Sequence, residues 1–507
     1  MASISRWSVS ALVGGCSLVS GCAHVNPQLD YHRVAEYVRE ATSMESEFPA
    51  DEASMARRID DSLLDGLSVD EAVQLCIINN PILRAEYATV GIARADVVQS
   101  GLFSNPTLAF SAQFPEGGGR SNIQASLAQN IVDLWQIPVR KRAAERSLDE
   151  AILRLARSAA QLFVDTKVAY FAAVAADEGY TIAKENQDIA QRLLDAALAR
   201  QRAGVVSELD VNLNRQTVLS AQLEVRQARL DAAAARRRLG VLLGLALPME
   251  DLPLVTPLPG SPQVALSPEE LLEIAREHRL DLRAAMKSAE AAAARIETEI
   301  RKVFPDLTIG PLLERNERRA LPGRKLLADT ARASIANGAL TAPDIQSRAQ
   351  RDQERRQEID AIFGPAFSLT LPIFDQNQAQ IARARYAYEQ SIRQVDALER
   401  TIFQEIRESL DQARTAADIL DFYQGSLLPQ ARSNLELSRA SYEKGATSIL
   451  LVLDAQRSLL TARRAAVTAR QTAATSLAEL ERVTAQPLAA LPNVSVPTTQ
   501  PATQPDG

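Results

Sequence analysis

The chain has 507 residues, of which 46% are apolar but only 5% aromatic, and its formal net charge is −7. An acidic chain without a Lys/Arg cluster interleaved with aromatic residues is not typical of a nucleic-acid-binding protein, so nucleic acid is not expected as a partner. Alanine supplies much of the apolar share, which favours long, closely packed helices over a thick globular core.

The first residues predict export and lipidation. Arg6 precedes an apolar run that ends in "LVSGC" (Leu18 to Cys22), which is too short to span a bilayer as a helix and is typical of a secretory signal. The segment resembles a bacterial lipoprotein signal, in which residues 1–21 are removed and the Cys22 thiol carries the lipid. Ala23 in place of aspartate then implies release to the outer membrane, with 22–66 as a lipidated N-terminal segment. The alternative is an ordinary cleaved signal with a chance cysteine.

The sequence contains no motif that indicates an enzyme or a metal site. Its three histidines (His24, His32 and His278) are scattered without metal-ligand spacing, and no GxSxG, P-loop, HExxH or CxxC motif occurs. We therefore expect no catalytic activity and no cofactor. With Cys22 acylated, Cys76 has no partner for a disulfide within the chain.

The chain repeats itself. "LSVDEAVQLCIINNPILRAEY" begins at Leu67 and "LSPEELLEIAREHRLDLRAAM" begins at Leu266, and further along Gly204 aligns with Gly445. Each copy opens with serine followed by acidic residues, which is the pattern of a helix N-cap. The predicted divisions are two repeats at 67–247 and 266–486, a proline-rich linker at 248–265 and a disordered tail at 487–507.

Each repeat predicts the same order of elements: a helix, two strands, a very long helix, a break at glycine and a shorter helix. The predicted helices span 68–101, 139–202 and 207–243 in the first repeat, and 268–303, 377–444 and 448–484 in the second. In the first long helix, apolar residues recur at heptad-like spacing from Leu148 to Ala173. That helix is roughly 95–100 Å long, and the two shorter helices that run antiparallel to it span about 110 Å. Each repeat is therefore expected to form a rod that turns at Gly204 or Gly445.

Four segments predict β-strands with one apolar face. They are "PTLAFSAQF" from Pro106, "SNIQASLAQNI" from Ser121, "GPAFSLTLPIF" from Gly364 and, most weakly, "DLTIGPLL" from Asp306. Such strands fit a membrane β-barrel, and a small sandwich that caps a coiled coil is the alternative. Because the smallest membrane barrel has about eight strands, a barrel requires an oligomer, and three chains would supply twelve. Residues 313–362 interrupt the second repeat between its strands and are expected to form an extracellular loop.

The lipoprotein start, the two-fold repeat, the Pro-x-Leu strands and the Gly-x-x-Ser turns together resemble the TolC-like outer-membrane factors of tripartite efflux pumps. The resemblance covers about Leu67 to Gln486. It implies a mainly α fold with a small transmembrane β part: a homotrimer with a 12-stranded β-barrel in the outer membrane of a Gram-negative bacterium and a coiled-coil helical barrel in the periplasm. The implied function is an exit duct.

The resemblance also implies partners for such a duct. They are the lipid of the outer membrane, a periplasmic adaptor protein and an inner-membrane transporter of the resistance-nodulation-division type. A structural coiled-coil outer-membrane lipoprotein without a pore is the alternative from another class.

The resemblance assigns roles to the two glycine turns as well. They would form the periplasmic entrance and a docking surface for the adaptor, made of Arg202, Gly204, Val205, Ser207, Lys444, Gly445 and Ser448. By position, Asp210 and Tyr442 match a gate aspartate and a gate tyrosine that would hydrogen-bond, and Asp454 matches a pore-facing aspartate. The family's gate arginine and other pore aspartate are Thr447 and Leu451 here, which removes two expected features of the gate. The alternative for Asp210 and Asp454 is that they are ordinary solvated helix residues.

We predict that Cys22→Ser abolishes incorporation of labelled palmitate and slows removal of the signal, because the thiol that would carry the lipid is lost. Labelling in cells followed by gel electrophoresis measures both effects. Cys76→Ala is the matched control and should label like the wild type. Unchanged labelling of the Cys22→Ser variant would contradict the prediction.

Overall fold

A computed structural model describes residues 23–44, 66–114, 121–245, 252–261, 263–317, 335–338, 359–487 and 494–495. The chain divides into two compact units. The first comprises Met1–Asp96, Glu145–Glu290 and Glu389–Gly507, and the second comprises Val97–Ala144 and Ala291–Tyr388. The predicted signal peptide and Cys22 lie outside the described residues, as does most of the predicted insertion at 313–362.

The described elements confirm a mainly helical chain with the predicted internal repeat. In chain order they are α1 (Gln28–Thr42), α2 (Val69–Asn79), α3 (Pro81–Ser100), β1 (Thr107–Gln113), β2 (Asn122–Asn130), α4 (Asp133–Arg202), α5 (Glu208–Leu243), β3 (Gln263–Val264), α6 (Pro268–His278), α7 (Leu280–Arg301), β4 (Leu307–Glu317), β5 (Ile359–Leu369), α8 (Gln378–Phe422), a π-helical turn (Tyr423–Leu427), α9 (Leu428–Glu443), α10 (Ile449–Thr484) and β6 (Val494–Ser495). The long helices are α4 in the first repeat and α8 with α9 in the second.

The first helix of each repeat is broken, whereas the sequence predicted one helix. Asn80 and Arg279 interrupt it with extended backbone, at ψ values of 121° and 115°. Asn80 precedes Pro81, which disfavours the helical conformation in the residue before it. The Asn80 side chain then accepts a hydrogen bond from the N–H of Ile82 at 2.9 Å. At the second break Arg279 is held by a buried ion pair with Asp281 at 2.6 Å.

The predicted N-caps at the start of each repeat are confirmed. The Ser68 hydroxyl accepts from the Glu71 N–H while the Glu71 carboxylate accepts from the Ser68 N–H, and Ser267 and Glu270 do the same. These reciprocal bonds satisfy N–H groups that have no partner within the helix. The predicted heptad stripe of α4 is also confirmed as core, with six of its members buried: Leu148, Ile152, Leu155, Ala159, Thr166 and Ala173.

The predicted lipidated segment at 22–66 contains a helix, α1, that the sequence analysis missed. Asp30 of this helix is buried, and its carboxylate accepts from the Arg94 guanidinium at 2.6 Å. The ring of Tyr31 meets that of Tyr87 edge-on at 5.4 Å. Polar and aromatic contacts therefore fix α1 against α3, and the helix is an integral part of the first unit.

The linker predicted at 248–265 is packed against the helices where it is described. Leu258 is fully buried. The Tyr170 hydroxyl donates to the Leu67 carbonyl at 2.8 Å and accepts from the Thr256 N–H at 2.9 Å. The Arg470 guanidinium donates to the carbonyl of Leu258 at 3.0 Å. The linker is therefore held by the buried Tyr170 of α4 and the half-buried Arg470 of α10.

Between corresponding positions on either side of a π-helical turn, the second long helix has one residue more than the first. Between α8 and α9 lies the π-helical turn Tyr423–Leu427, and such a turn accommodates one additional residue in an otherwise α-helical stretch. After this turn the repeats keep the spacing of Gly204 and Gly445, which are 241 positions apart; Leu194 and Leu435, for example, are both buried.

Before the π-helical turn the spacing between counterparts is one residue less, 240 positions. Lys167 and Arg407 are separated in this way, and each cation lies over a phenylalanine ring four positions earlier, at 4.4 Å from Phe163 and 5.4 Å from Phe403. The buried residues Ala173 and Ala413 show the same spacing. The extra residue of the second repeat therefore lies within the turn.

The second unit contains the four predicted strands in one antiparallel sheet, in the order β1-β2-β4-β5. One face is apolar and exposed, with side chains between 36% and 77% exposed: Leu108, Phe110, Leu127, Ile309, Leu313, Phe363, Phe367 and Leu369. The opposite face carries small and polar residues that include Ser111, Gln124, Ser126, Thr308 and Ser368. The predicted alternation is confirmed.

The predictions for three segments are wrong in their bounds or structure. β4 and β5 pair as far as Glu317 and Ile359, so both ends of the predicted insertion at 313–362 belong to the sheet. Backbone pairing continues there through charged residues that the sequence pattern assigned to a solvated loop. β5 also ends at Leu369, short of the predicted end at Phe374. The tail predicted as disordered at 487–507 contains β6, which pairs with β3.

Gly310 and Gly364 provide a matched test of the sheet. A Cβ at Gly310 would fall on the main-chain carbonyl of Leu127 in β2, whereas no atom lies within 4 Å of a Cβ at Gly364. We expect Gly310→Ala to lower the amount of folded protein in the outer membrane several-fold, because the β2–β4 pairing must open, and Gly364→Ala to leave it unchanged. The trypsin-resistant fraction in isolated membranes measures this, and equal fractions for both variants would contradict it.

Candidate functional site at the two glycine turns

The two helical turns close with the same hydrogen bonds. In each, the glycine N–H donates to the carbonyl three residues earlier, and the following N–H donates to the carbonyl five residues earlier, at 2.9 to 3.0 Å. Gly204 and Gly445 both have φ of +72°, which confirms the predicted left-handed conformation. This arrangement is the Schellman motif, and glycine is favoured there because it has no Cβ.

The returning helices start differently. The Ser207 hydroxyl accepts from the Asp210 N–H at 3.3 Å, and the Asp210 carboxylate accepts from the Ser207 N–H at 3.1 Å and its hydroxyl at 2.9 Å. Ser448 lies at the N-cap of α10, but its side chain makes no capping hydrogen bond. The predicted capping role is therefore confirmed for Ser207 and wrong for the Ser448 side chain.

The structure places Asp210 and Tyr442 in separate contacts within the chain. The Asp210 carboxylate is used by the cap, while the Tyr442 ring lies under the Arg200 guanidinium, 4.6 Å from its centre. Tyr442 also packs on a small apolar cluster that includes Ile449 and Val452. The expected Asp210–Tyr442 hydrogen bond is thus not formed in the single chain, and Arg200, which the sequence analysis missed, links the two hairpins instead.

The predicted docking residues are exposed at both turns. The set is Arg202, Gly204, Val205, Ser207, Lys444, Gly445 and Ser448. Val205 is 70% exposed, and no atom lies within 4 Å of a Cβ placed on Gly204 or Gly445. Asp454 is exposed as well. The two turns therefore present an apolar side chain, two cations and uncovered backbone that the fold of the chain does not use.

A series of ion pairs joins the two hairpins along α4 and α10. Lys167 pairs with Glu481 at 2.7 Å, Glu178 with Arg470 at 2.9 Å, and Glu185 with Arg463 at 2.7 Å. Burial raises the pKa of Glu178 although Arg470 favours its charged form. The positions on α4 rise in the same steps as those on α10 fall, so the two helices keep one antiparallel register over this length. We call this series the hairpin ladder.

An antiparallel sheet with an exposed apolar face and long helical hairpins in a two-fold repeat together define the class of mainly helical outer-membrane proteins. The profile of the outer membrane efflux protein family matches residues 72–245 and 271–486, and the chain belongs to this family. It is an efflux protein of the outer membrane. This assignment favours a channel over the alternative of a coiled-coil lipoprotein without a pore.

Several characterised proteins are similar to this chain over most of its length. It is 28% identical to protein CyaE of Bordetella pertussis over 65% of this chain and 72% of that protein. It is 25% identical to the pyoverdine export outer membrane protein OpmQ of Pseudomonas putida, over 77% and 80% of the two chains. It is 26% identical to the cobalt-zinc-cadmium resistance protein CzcC of Cupriavidus metallidurans, over 78% and 84%.

Solved structures share the fold. The crystal structure of CusC superposes with a TM-score of 0.63 at 19% identity, covering 82% of this chain and 91% of that chain. The open state of the Neisseria gonorrhoeae MtrE outer membrane channel gives 0.60 at 19% identity, covering 82% and 89%. The predicted resemblance to outer-membrane factors is confirmed.

The role of Tyr442 can be divided between its ring and its hydroxyl. We predict that Tyr442→Phe retains the Arg200 contact and normal resistance to vancomycin, because a cation over an aromatic ring needs no hydroxyl. Tyr442→Ala should increase vancomycin sensitivity at equal protein levels, because the link between the hairpins is lost. If Tyr442→Phe is as sensitive as Tyr442→Ala, the hydroxyl is essential, as a hydrogen bond to Asp210 of a neighbouring chain would require.

Proposed function

We propose that the protein forms a homotrimeric exit duct, anchored by lipid at Cys22, that receives substrates from an inner-membrane transporter of the resistance-nodulation-division type through a periplasmic adaptor. The observation that carries this proposal is the four-stranded sheet. Its edges, β1 and β5, have no partner strand among the described residues, and unpaired backbone cannot remain exposed to lipid.

The strand directions support closure between chains. Each neighbouring pair in the sheet is antiparallel, so β5 of one chain would run antiparallel to β1 of the next. Two chains would give eight strands, and a barrel of that size is filled by its own side chains. Three chains would give twelve strands and leave a lumen lined by the polar face, with the apolar face toward lipid.

The glycine turns supply the second part of the proposal. Val205, Arg202 and Lys444 are exposed beside backbone that no side chain covers, which suits a surface that nests against another protein. We assign this surface to the adaptor. Asp454 from three chains would form an acidic ring that favours cations, and Asp210 and Tyr442 would belong to the gate formed by the turns.

The domain divisions follow the same scheme. We propose that the segment between β4 and β5 is an extracellular loop, because in this arrangement it joins two barrel strands on the same side as the turn between β1 and β2. The counterpart turn at 115–120 is much shorter. The loop would therefore be reached by protease added to intact cells, while the helices in the periplasm would be protected.

The glycine turn offers the sharpest test of the proposed function. We expect Gly204→Trp to retain the trimer mass in native mass spectrometry and the conductance in planar bilayers, because left-handed strain costs only on the order of 1 kcal/mol. Efflux should fail in cells, because the indole would occupy the docking surface.

Gly204→Asn is the matched control. Asparagine tolerates the left-handed conformation and is small, so this variant should retain efflux as well as assembly. A wild-type protein that forms neither a trimer nor a conducting pore would overturn the duct. Loss of the trimer in Gly204→Trp would show instead that the turn is structural and would refute its docking role.

A further inference from the structure

The two-fold repeat predicts a second contact equivalent to the one between α4 and α10. The described residues of a single chain do not form this second contact. Within the chain, α4 of the first repeat packs on α10 of the second, with Glu178 on Arg470. The repeat relates α4 to α8 and α10 to α5. In a ring of repeats, the equivalent contact would therefore join α8 of one chain to α5 of a second copy.

The π-helical turn fixes the register of this contact. Before the turn, corresponding residues of α4 and α8 are 240 positions apart, so Glu178 corresponds to Asp418. Corresponding residues of the return helices α5 and α10 are 241 positions apart, so Arg229 corresponds to Arg470. A carboxylate thus replaces a carboxylate and an arginine replaces an arginine. The pair that closes the interface within the chain is chemically conserved at the surface that the chain leaves open.

Two more acidic residues flank Asp418 along the exposed face of α8. Asp411, Asp418 and Asp421 are all exposed, and among the described residues none of them takes part in an ion pair within the chain. In the hairpin ladder, each step forward along one helix corresponds to an equal step backward along the other. Starting from Asp418 opposite Arg229, the same rule places Asp421 opposite Arg226 and Asp411 within one residue of Arg237. Arg226, Arg229 and Arg237 of α5 are all exposed. The two stripes therefore have opposite charge at intervals that agree to within one residue.

Apolar residues beside the two stripes are also uncovered in the single chain. Phe422 of α8 is 58% exposed, whereas Ile182, its counterpart in α4, is only 7% exposed. On α5, Leu223 and Leu230 are 68% and 57% exposed. A second copy of the chain would bury this surface.

We propose that the acidic stripe of α8 (Asp411, Asp418 and Asp421) binds the basic stripe of α5 (Arg226, Arg229 and Arg237) of a second copy, antiparallel, with Asp418 opposite Arg229. The proposal rests on the homotrimer proposed above and names the surfaces and the register that build it. Charge pairs of this kind fix partner and register more than they add affinity.

Cysteine cross-linking tests the register. In the double variant Asp418→Cys/Arg229→Cys, a short bis-maleimide should convert most of the protein into covalently linked oligomers on denaturing gels. The matched control is Asp418→Cys/Arg215→Cys, in which the second cysteine is displaced along α5 by about 20 Å and should link at least several-fold less. Glu178→Cys/Arg470→Cys should link within one chain, so this variant should remain a monomer on the denaturing gel.

Charge reversal tests the pairing itself. Asp418→Arg or Arg229→Asp alone should raise the concentration at which the trimer dissociates on the order of tenfold, and Asp418→Arg/Arg229→Asp should restore it. Both residues are exposed, and circular dichroism checks that the helices are retained. Failure of the double reversal to restore assembly would refute the Asp418–Arg229 pair.

The outcomes separate this proposal from the proposed function. A wild-type trimer in native mass spectrometry with no cross-link at Asp418→Cys/Arg229→Cys, or with equal cross-linking in the Arg215→Cys control, would refute the register and leave the duct intact. A wild-type protein that is monomeric at all concentrations tested would overturn the homotrimer and this interface together.

Discussion

The antiparallel register between α4 and α10 is the constraint on which the helical unit depends. Three ion pairs, of which Lys167–Glu481 is the most buried, set that register. Between them the helices present small side chains such as Ala173 and Ala473, and alanine-lined helices can slide because small side chains interlock weakly. Charged pairs at fixed intervals remove that freedom, since a shift by one turn would leave charges half-buried and unpaired. The alanine-rich, aromatic-poor helices therefore depend on the hairpin ladder to fix their register.

The same register determines how the rest of the first unit is arranged. The linker follows α5 and is held where α4 and α10 meet: Arg470 binds both the carboxylate of Glu178 and the carbonyl of Leu258. A single arginine therefore joins a long helix of the first repeat, a return helix of the second and the segment that connects the repeats. The sequence identified this segment as a proline-rich linker, and in the structure its position depends on side chains contributed by both repeats.

Features with a local cause could be predicted from the sequence. The glycine turns, the Ser68 and Ser267 caps and the alternation of the strands each follow from a few adjacent residues. The break at Asn80 could also have been predicted, because a residue before proline disfavours helix continuation. The apolar periodicity that continues across Asn80 indicated one unbroken helix instead. The break at Arg279 could not be predicted, because no proline follows it and its partner Glu405 lies far along the chain in the second long helix.

The candidate site shows the same division. Ser207 and Asp210 have the three-residue spacing of a capping box, so the local role of Asp210 was readable although the resemblance suggested a gate. Arg200 carried no signal, because its partner Tyr442 lies in the other repeat. The ends of β4 and β5 were missed for a related reason: backbone pairing extended them through charged residues whose composition indicated a loop.

The π-helical turn explains how two unequal repeats keep equivalent surfaces. Between corresponding positions on either side of the turn, the second long helix has one residue more than the first, and in a regular α-helix that residue would rotate everything before it by about 100°. Leu410 and Ala413 would then leave the core, and the exposed carboxylate of Asp418 would turn toward it. The turn at Tyr423–Leu427 absorbs the extra residue within five positions, so the stripe before it and the glycine turn after it both retain the orientation of their counterparts in α4. The irregular turn therefore preserves the two-fold repeat.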